Sequence, residues 1–136
     1  MTVGATFAID AEPKSMQRIP PPSKAERFEG IGFSPSGNIL GIATADTNAV
    51  LLFRKQADGR FEETPYWRIG GPGSGLNYPH DVSFATVADT ELLAVAQRTG
   101  AIALYAKNPH DETFGLAPIL DLSGPDSKLE FSDQAV

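Results

Sequence analysis

The chain has 136 residues, of which 41% are hydrophobic and 21% charged. That is the make-up of one folded domain, not of a disordered segment. A formal net charge of −6 argues against nucleic acid, whose phosphate backbone is held by clustered Lys and Arg, and the absence of cysteine excludes disulfides, thiol catalysis and thiolate metal sites.

Residues 1–27 come first. "MTVGATFAIDAEPK" has no basic start followed by an apolar stretch, so no secretory signal is expected. No run reaches the ~18 apolar residues of a membrane helix, and a soluble chain of undetermined compartment is expected. "ATFAID" and "SMQRI" read as the tail of a preceding unit or as a linker.

Residues 28–75 read as four strands. The first lies near Glu29–Phe33 and closes in "SPSGN", a turn rich in Ser, Pro, Gly and Asn. "ILGIATA" follows, almost wholly apolar and small, as in a strand buried on both faces. "AVLLFRK" is the third strand and ends in "QADGR", whose Asp-Gly is a hairpin signal. "TPYWRI" is the fourth. Short strands at roughly ten-residue spacing indicate an antiparallel meander, and no segment carries a helical apolar period.

Next comes "WRIGGPGSGLN" (67–77), whose Gly70 and Gly75 have the spacing of a phosphate-cradling loop. Such a loop needs a lysine after the second glycine, then a Ser or Thr for magnesium, then a helix. Leu76 and Asn77 stand at those positions, and "YPHDVSF" continues as a strand. No nucleotide site is expected.

Residues 76–123 repeat the first unit. "RFEETPYWRIGGPGSGLNYPHDV" (60–82) aligns without a gap on "TFGLAPILDLSGPDSKLEFSDQA" (113–135), pairing Phe61 with Phe114, Pro65 with Pro118, Gly71 with Gly124, Pro72 with Pro125, Ser74 with Ser127 and Leu76 with Leu129. The intervening "GFSPSGNILGIATADTNAVLLFRK" (32–55) matches "SFATVADTELLAVAQRTGAIALYAK" (83–107). There Phe33 pairs with Phe84, Ala43 with Ala96 and Phe53 with Tyr105. A weaker third copy, "QRIPPPSK" (17–24), matches "WRIGGPGS" (67–74). Residues 124–136 read as the start of a further unit.

A four-stranded meander recurring about every 50 residues is the signature of a β-propeller blade. The phrases "FSPSGNILGIATADTNAVLLF" (33–53) and "YPHDVSF" (78–84) resemble blades of lactonase-type, YVTN-type and NHL-like propellers. The second unit departs from that pattern, with "FATVADT" for the Ser-Pro turn and Gly100 where Asn48 stands. The resemblance implies an all-β fold of antiparallel four-stranded blades, about two complete (28–75 and 76–123) plus partial ones. Two blades are too few to close a ring, so the expected partners are further propeller blades, from a longer protein or from other copies. A fragment of a longer protein is favoured.

In such a meander the fourth-to-first connection and the second-to-third turn share one end. That end gathers Asn77, His80 and Asp81 with Asp46, Thr47 and Asn48, and with Gln97, Arg98 and Thr99. His80, Asp81, Arg98 and Asn48 are the candidate ligand-binding residues: Asp81 to accept from a hydroxyl, Arg98 to hold a carboxylate or phosphate in bidentate fashion, His80 to exchange a proton. The same pattern fits a His80 that caps its loop and faces water. His80 and Asp81, adjacent on a strand, should point to opposite faces and not bond to each other. His110 falls in a hairpin at the opposite end, and Trp67 reads as a packing residue between units. Two histidines at opposite ends do not make a zinc or iron site, and Asp46, Asn48 and Asp81 lack the spacing of a calcium loop, so no metal and no cofactor are expected. Two functions remain: a rigid scaffold binding a protein or small molecule, and part of a lactonase-like hydrolase with its site at the channel mouth.

Overall fold

The computed structural model describes residues 16–123. Eight strands form two four-stranded antiparallel sheets, and no helix occurs among the described residues. The first sheet contains β1 (Phe28–Phe33), β2 (Ile39–Thr44), β3 (Ala49–Arg54) and β4 (Trp67–Gly70), in chain order. The second contains β5 (Pro79–Val87), β6 (Thr90–Gln97), β7 (Ile102–Ala106) and β8 (Leu120–Leu122), again in chain order. Gly124, Pro125, Ser127, Leu129, the "LEFSDQAV" start of a further unit and the "ATFAID" tail lie outside the described residues.

Apolar alternation explains the stacking. Ile39, Ala43, Val50, Leu52 and Ile69 of the first sheet form one buried cluster with Val82, Leu93, Val95, Ala103, Tyr105 and Phe114 of the second. The intervening positions of β2 and β3 (Leu40, Ile42, Leu51 and Phe53) are buried on the opposite side under Ile19, Phe28 and Phe61. β2 is therefore buried on both faces along its whole length, as its small apolar residues require. Three glycines bring β5 close to the first sheet. A Cβ on Gly30 would lie 2.5 Å from the His80 carbonyl oxygen, one on Gly32 2.8 Å from that of Val82, and one on Gly41 2.9 Å from the Phe84 ring.

The two sheets repeat each other in register. Phe28 pairs with Thr44 and Ile31 with Ile42 across a bulge at residues 29–30. Pro79 pairs with Gln97 and Val82 with Val95, with the register shift between Pro79 and Asp81. The bulge thus recurs at equivalent positions. Asn48 (φ 51°) and Gly100 (φ 87°) both turn left-handed ahead of the third strand, which is why Gly can stand where Asn does. Lys55 bridges Phe61 as Lys107 bridges Phe114. Tyr66 N–H donates to Leu52 O (2.9 Å), and Ile119 N–H to Leu104 O (2.8 Å).

The sequence expectation overextended the fourth strand of the first unit, which starts at Trp67 and not at Thr64. Pro65 has no N–H to give the ladder. β5 also runs further than expected, to Val87. Ala88 (φ 48°) and Asp89 (φ 65°) both have positive φ and close a tight hairpin there, as type I′ turns demand. Trp67 packs between the sheets, its indole N–H donating to Phe114 O at 2.9 Å. Gln17 Nε2 donates to Phe61 O (2.5 Å) and Ile19 packs beneath. The weak third copy thus sits against the first sheet as Trp67 and Ile69 sit against the second.

Candidate functional site

One end of the molecule holds the starts of β1 and β5, the β2–β3 and β6–β7 turns, and the loop between the sheets. A bulge leaves a residue outside the ladder and re-aims its side chain. Here the equivalent bulges carry Glu29 and His80, and the two side chains meet, with His80 Nδ1 3.4 Å from Glu29 Oε2. Arg98, from the β6–β7 turn, joins them: its Nε lies 3.3 Å from His80 Nδ1 and its Nη2 3.9 Å from Glu29 Oε2. Arg27 takes the other carboxylate oxygen, Oε1, at 2.9 Å and reaches Asp46 Oδ1 at 3.6 Å.

The Glu29 side chain is 15% exposed and that of His80 23%, whereas Arg98 is 49% and Arg27 60% exposed. The acid and the imidazole form a sheltered floor, and the two guanidiniums form a wet rim. His80 Nδ1 faces two partners but serves one at a time. Without a proton it accepts from Arg98 Nε–H; with one it donates to Glu29. His80 is therefore not the solvent-facing loop cap that the sequence also allowed.

Of the residues expected to act together, His80 and Arg98 do meet. Asp81 Oδ1 accepts from the Val82 N–H at 2.9 Å, next to Gly30, and makes no hydrogen bond to His80. Asn48 Oδ1 accepts from Tyr78 N–H (2.8 Å), while Arg98 N–H donates to Tyr78 O (3.0 Å). These two bonds clamp the entry to β5 and hold Tyr78 at φ 56°. Asn48 thus positions the site's frame. Glu29 and Arg27 are the residues the candidate set missed. Glu29's place at the start of an inner strand, equivalent to His80, was the available signal.

The glycine loop is occupied by its own structure. Ser74 N–H donates to Gly71 O (3.2 Å), Leu76 N–H to Ser74 Oγ (3.3 Å) and Asn77 N–H to Gln97 Oε1. The buried Gln97 also donates to Gly75 O (3.1 Å), and the buried Tyr105 hydroxyl donates to Ser74 O. Amides spent this way do not cradle a phosphate.

The opposite end holds an open cleft of about 450 Å³ lined by Asn38, Arg54, Lys55, Gln56, Ala57 and Glu112. Its groups serve the hairpins: Arg54 stacks on the Tyr66 ring at 4.3 Å, and the Tyr66 hydroxyl donates to Glu112 O at 2.7 Å. Its volume does not set it apart, since another cleft, lined by Trp67, Phe114 and Leu116 among others, holds about 530 Å³; Lys107 lies 3.6 Å from both Glu91 and Glu112 at this end, but no imidazole lines the cleft. Among the described residues no group of three or more His, Asp or Glu side chains could hold a metal ion. No protein-family model matches the chain, and no curated protein matches it.

Proposed function

We propose that the two sheets are successive β-propeller blades and that the chain is a rigid scaffold whose Glu29–His80–Arg98 end binds an anionic group of a small molecule or protein. The observation that carries this reading is the repeated bulge, which aims equivalent residues of both sheets at one point and leaves two half-exposed guanidiniums beside it. Arg98 spends its Nε on His80 Nδ1 but meets Glu29 only at 3.9 Å, too far for a hydrogen bond, so the Nη side of its fork is left for a carboxylate or phosphate. Glu29 is then an internal competitor for the ligand. Further blades, from a longer protein or from other copies, would complete the ring around this end.

Calorimetric titration with citrate and with inorganic phosphate tests the reading. Arg98→Ala should weaken binding at least tenfold, and Glu29→Gln should tighten it by removing the competitor. Larger losses from Lys55→Ala or His110→Ala would move the site to the other end and end this proposal.

A lactonase-like hydrolase is the second reading, favoured by the carboxylate–imidazole approach of 3.4 Å between Glu29 and His80. It requires turnover of a simple δ-lactone that is lost in His80→Ala. Anion binding without such turnover leaves the scaffold.

A further inference from the structure

The register that makes the two sheets equivalent also shows what each of their faces is built to meet. On the first sheet, Ile39, Ala43, Val50, Leu52 and Ile69 face the second sheet and are at most 1% exposed. Their equivalents on the second sheet include Leu92, Ile102, Leu104 and Leu122, which face the other way. The first three are only half-buried, and Leu122 is 41% exposed. The covering surface shows the converse. Val82 and Phe84 of β5 are packed against the first sheet, whereas their equivalents Ile31 and Phe33 are each 56% exposed. The chain thus carries both halves of the interface it already makes once, one at each end of the stack; on the first sheet Ile19, Phe28 and Phe61 cover Leu40, Ile42, Leu51 and Phe53, and the open part is Ile31 and Phe33.

We propose that the outer face of the second sheet takes the first sheet of a second copy of this chain, head to tail. The incoming copy would set Ile31 and Phe33 against Ala94, Ile102 and Leu104, as Val82 and Phe84 are set within one chain. Such a contact is heterologous, so repetition gives rings or open chains and not a closed two-fold dimer. Two features make it looser than the interface inside the chain. The glycines that admit β5 (Gly30, Gly32 and Gly41) have Asp81, Ser83 and Ala94 as equivalents, whose Cβ atoms hold an incoming strand further off. The place beside the incoming sheet that β8 would fill is also held by that copy's own Gln17 and Ile19. Gln17 is fixed by two hydrogen bonds to the backbone of Phe61, at 2.5 and 2.8 Å. Residues 120–122 are all exposed, so β8 of the receiving copy is the segment that gives way.

The inference rests on reading the sheets as successive blades but not on the anion site. Sedimentation velocity of the 136-residue chain across the micromolar range tests it. The wild type should grow in mass with concentration. Ala94→Arg, which blocks the receiving face, and Phe33→Glu, which blocks the incoming one, should each be monomeric. An equimolar mixture of the two should form a one-to-one complex, because each keeps the face the other has lost. Leu104→Lys replaces Ala94→Arg if the latter loses native Trp67 fluorescence. A wild type that stays monomeric, or a Phe33→Glu chain that associates as the wild type does, overturns the proposal. Citrate titration of the same samples separates this failure from that of the ligand reading.

Discussion

Replacing Gly30 with alanine perturbs the point where the two bulges meet. The added Cβ would stand 2.5 Å from the His80 carbonyl oxygen and 2.6 Å from Asp81 Cα. Ordinary contacts there exceed ~3.4 Å, so β5 must retreat by about 1 Å, and backbone cannot rotate aside as a long side chain could. Overpacking of this kind costs about 1–3 kcal/mol. Against it, alanine restricts the unfolded chain and returns about 0.5–1 kcal/mol. The clash wins, and a net loss of about 1–2 kcal/mol should lower Tm by roughly 5 °C in a domain of this size. Urea unfolding followed by Trp67 emission is the assay, since the indole is half-buried between the sheets and hydrogen-bonded to Phe114 O. Gly115→Ala is the control: its Cβ would meet nothing nearer than 3.5 Å, and stability should stay within about 0.5 kcal/mol. If Gly30→Ala unfolds with the wild type, β5 does not approach β1 as described.

Tyr105→Phe should cost about 1–3 kcal/mol by leaving the Ser74 carbonyl without its buried donor, and urea midpoints against wild type would show it. Stability should also fall in alkali. Burial raises the Tyr66 and Tyr105 hydroxyls well above their ordinary range, so the folded state holds them neutral while the unfolded chain ionises near pH ~10. Their contribution is therefore complete below about pH 10 and lost as pH rises further, which urea midpoints taken on both sides of that pH would reveal; a flat profile would contradict it. Arg68→Ala should destabilise by about 1–3 kcal/mol, because the nearly buried Glu26 carboxylate loses its guanidinium partner and keeps only a long contact to Thr47. ATP with magnesium should not bind, since the Ser74, Leu76 and Asn77 amides already have partners and Leu76 and Asn77 stand where a phosphate lysine and a magnesium hydroxyl would be needed; micromolar affinity by calorimetry would refute this.

The strands were legible because their determinants are local. Two-residue alternation, the Ser-Pro-Ser-Gly-Asn turn and the left-handed position at Asn48 and Gly100 are all decided within a few residues. The repeat strengthened each by stating it twice. Strand ends were less legible: Pro65 shortens β4, and the Ala88–Asp89 turn carries no Asn-Gly signature. The site was legible only in part. Chain order shows that His80 and Arg98 share an end, but the bulge that turns His80 toward Glu29 is set by the register of β5 on β6. The Glu29–His80 contact also spans the two sheets, so neither residue's neighbours announce it. Asn48 and Asp81 look like ligand groups in the sequence because their backbone partners become visible only once the turns are folded.

The account stands on two equivalent sheets stacked so closely that their bulges touch. Nuclear Overhauser spectra of the isotopically labelled chain test this directly. Cross-peaks are predicted from the α-protons of Gly30 to Asp81 Hα, from those of Gly32 to the Val82 methyls, and from those of Gly41 to the Phe84 ring, all between residues about 40–50 apart in sequence. Strong cross-strand peaks within each sheet, with none of these three between the sheets, would contradict the account.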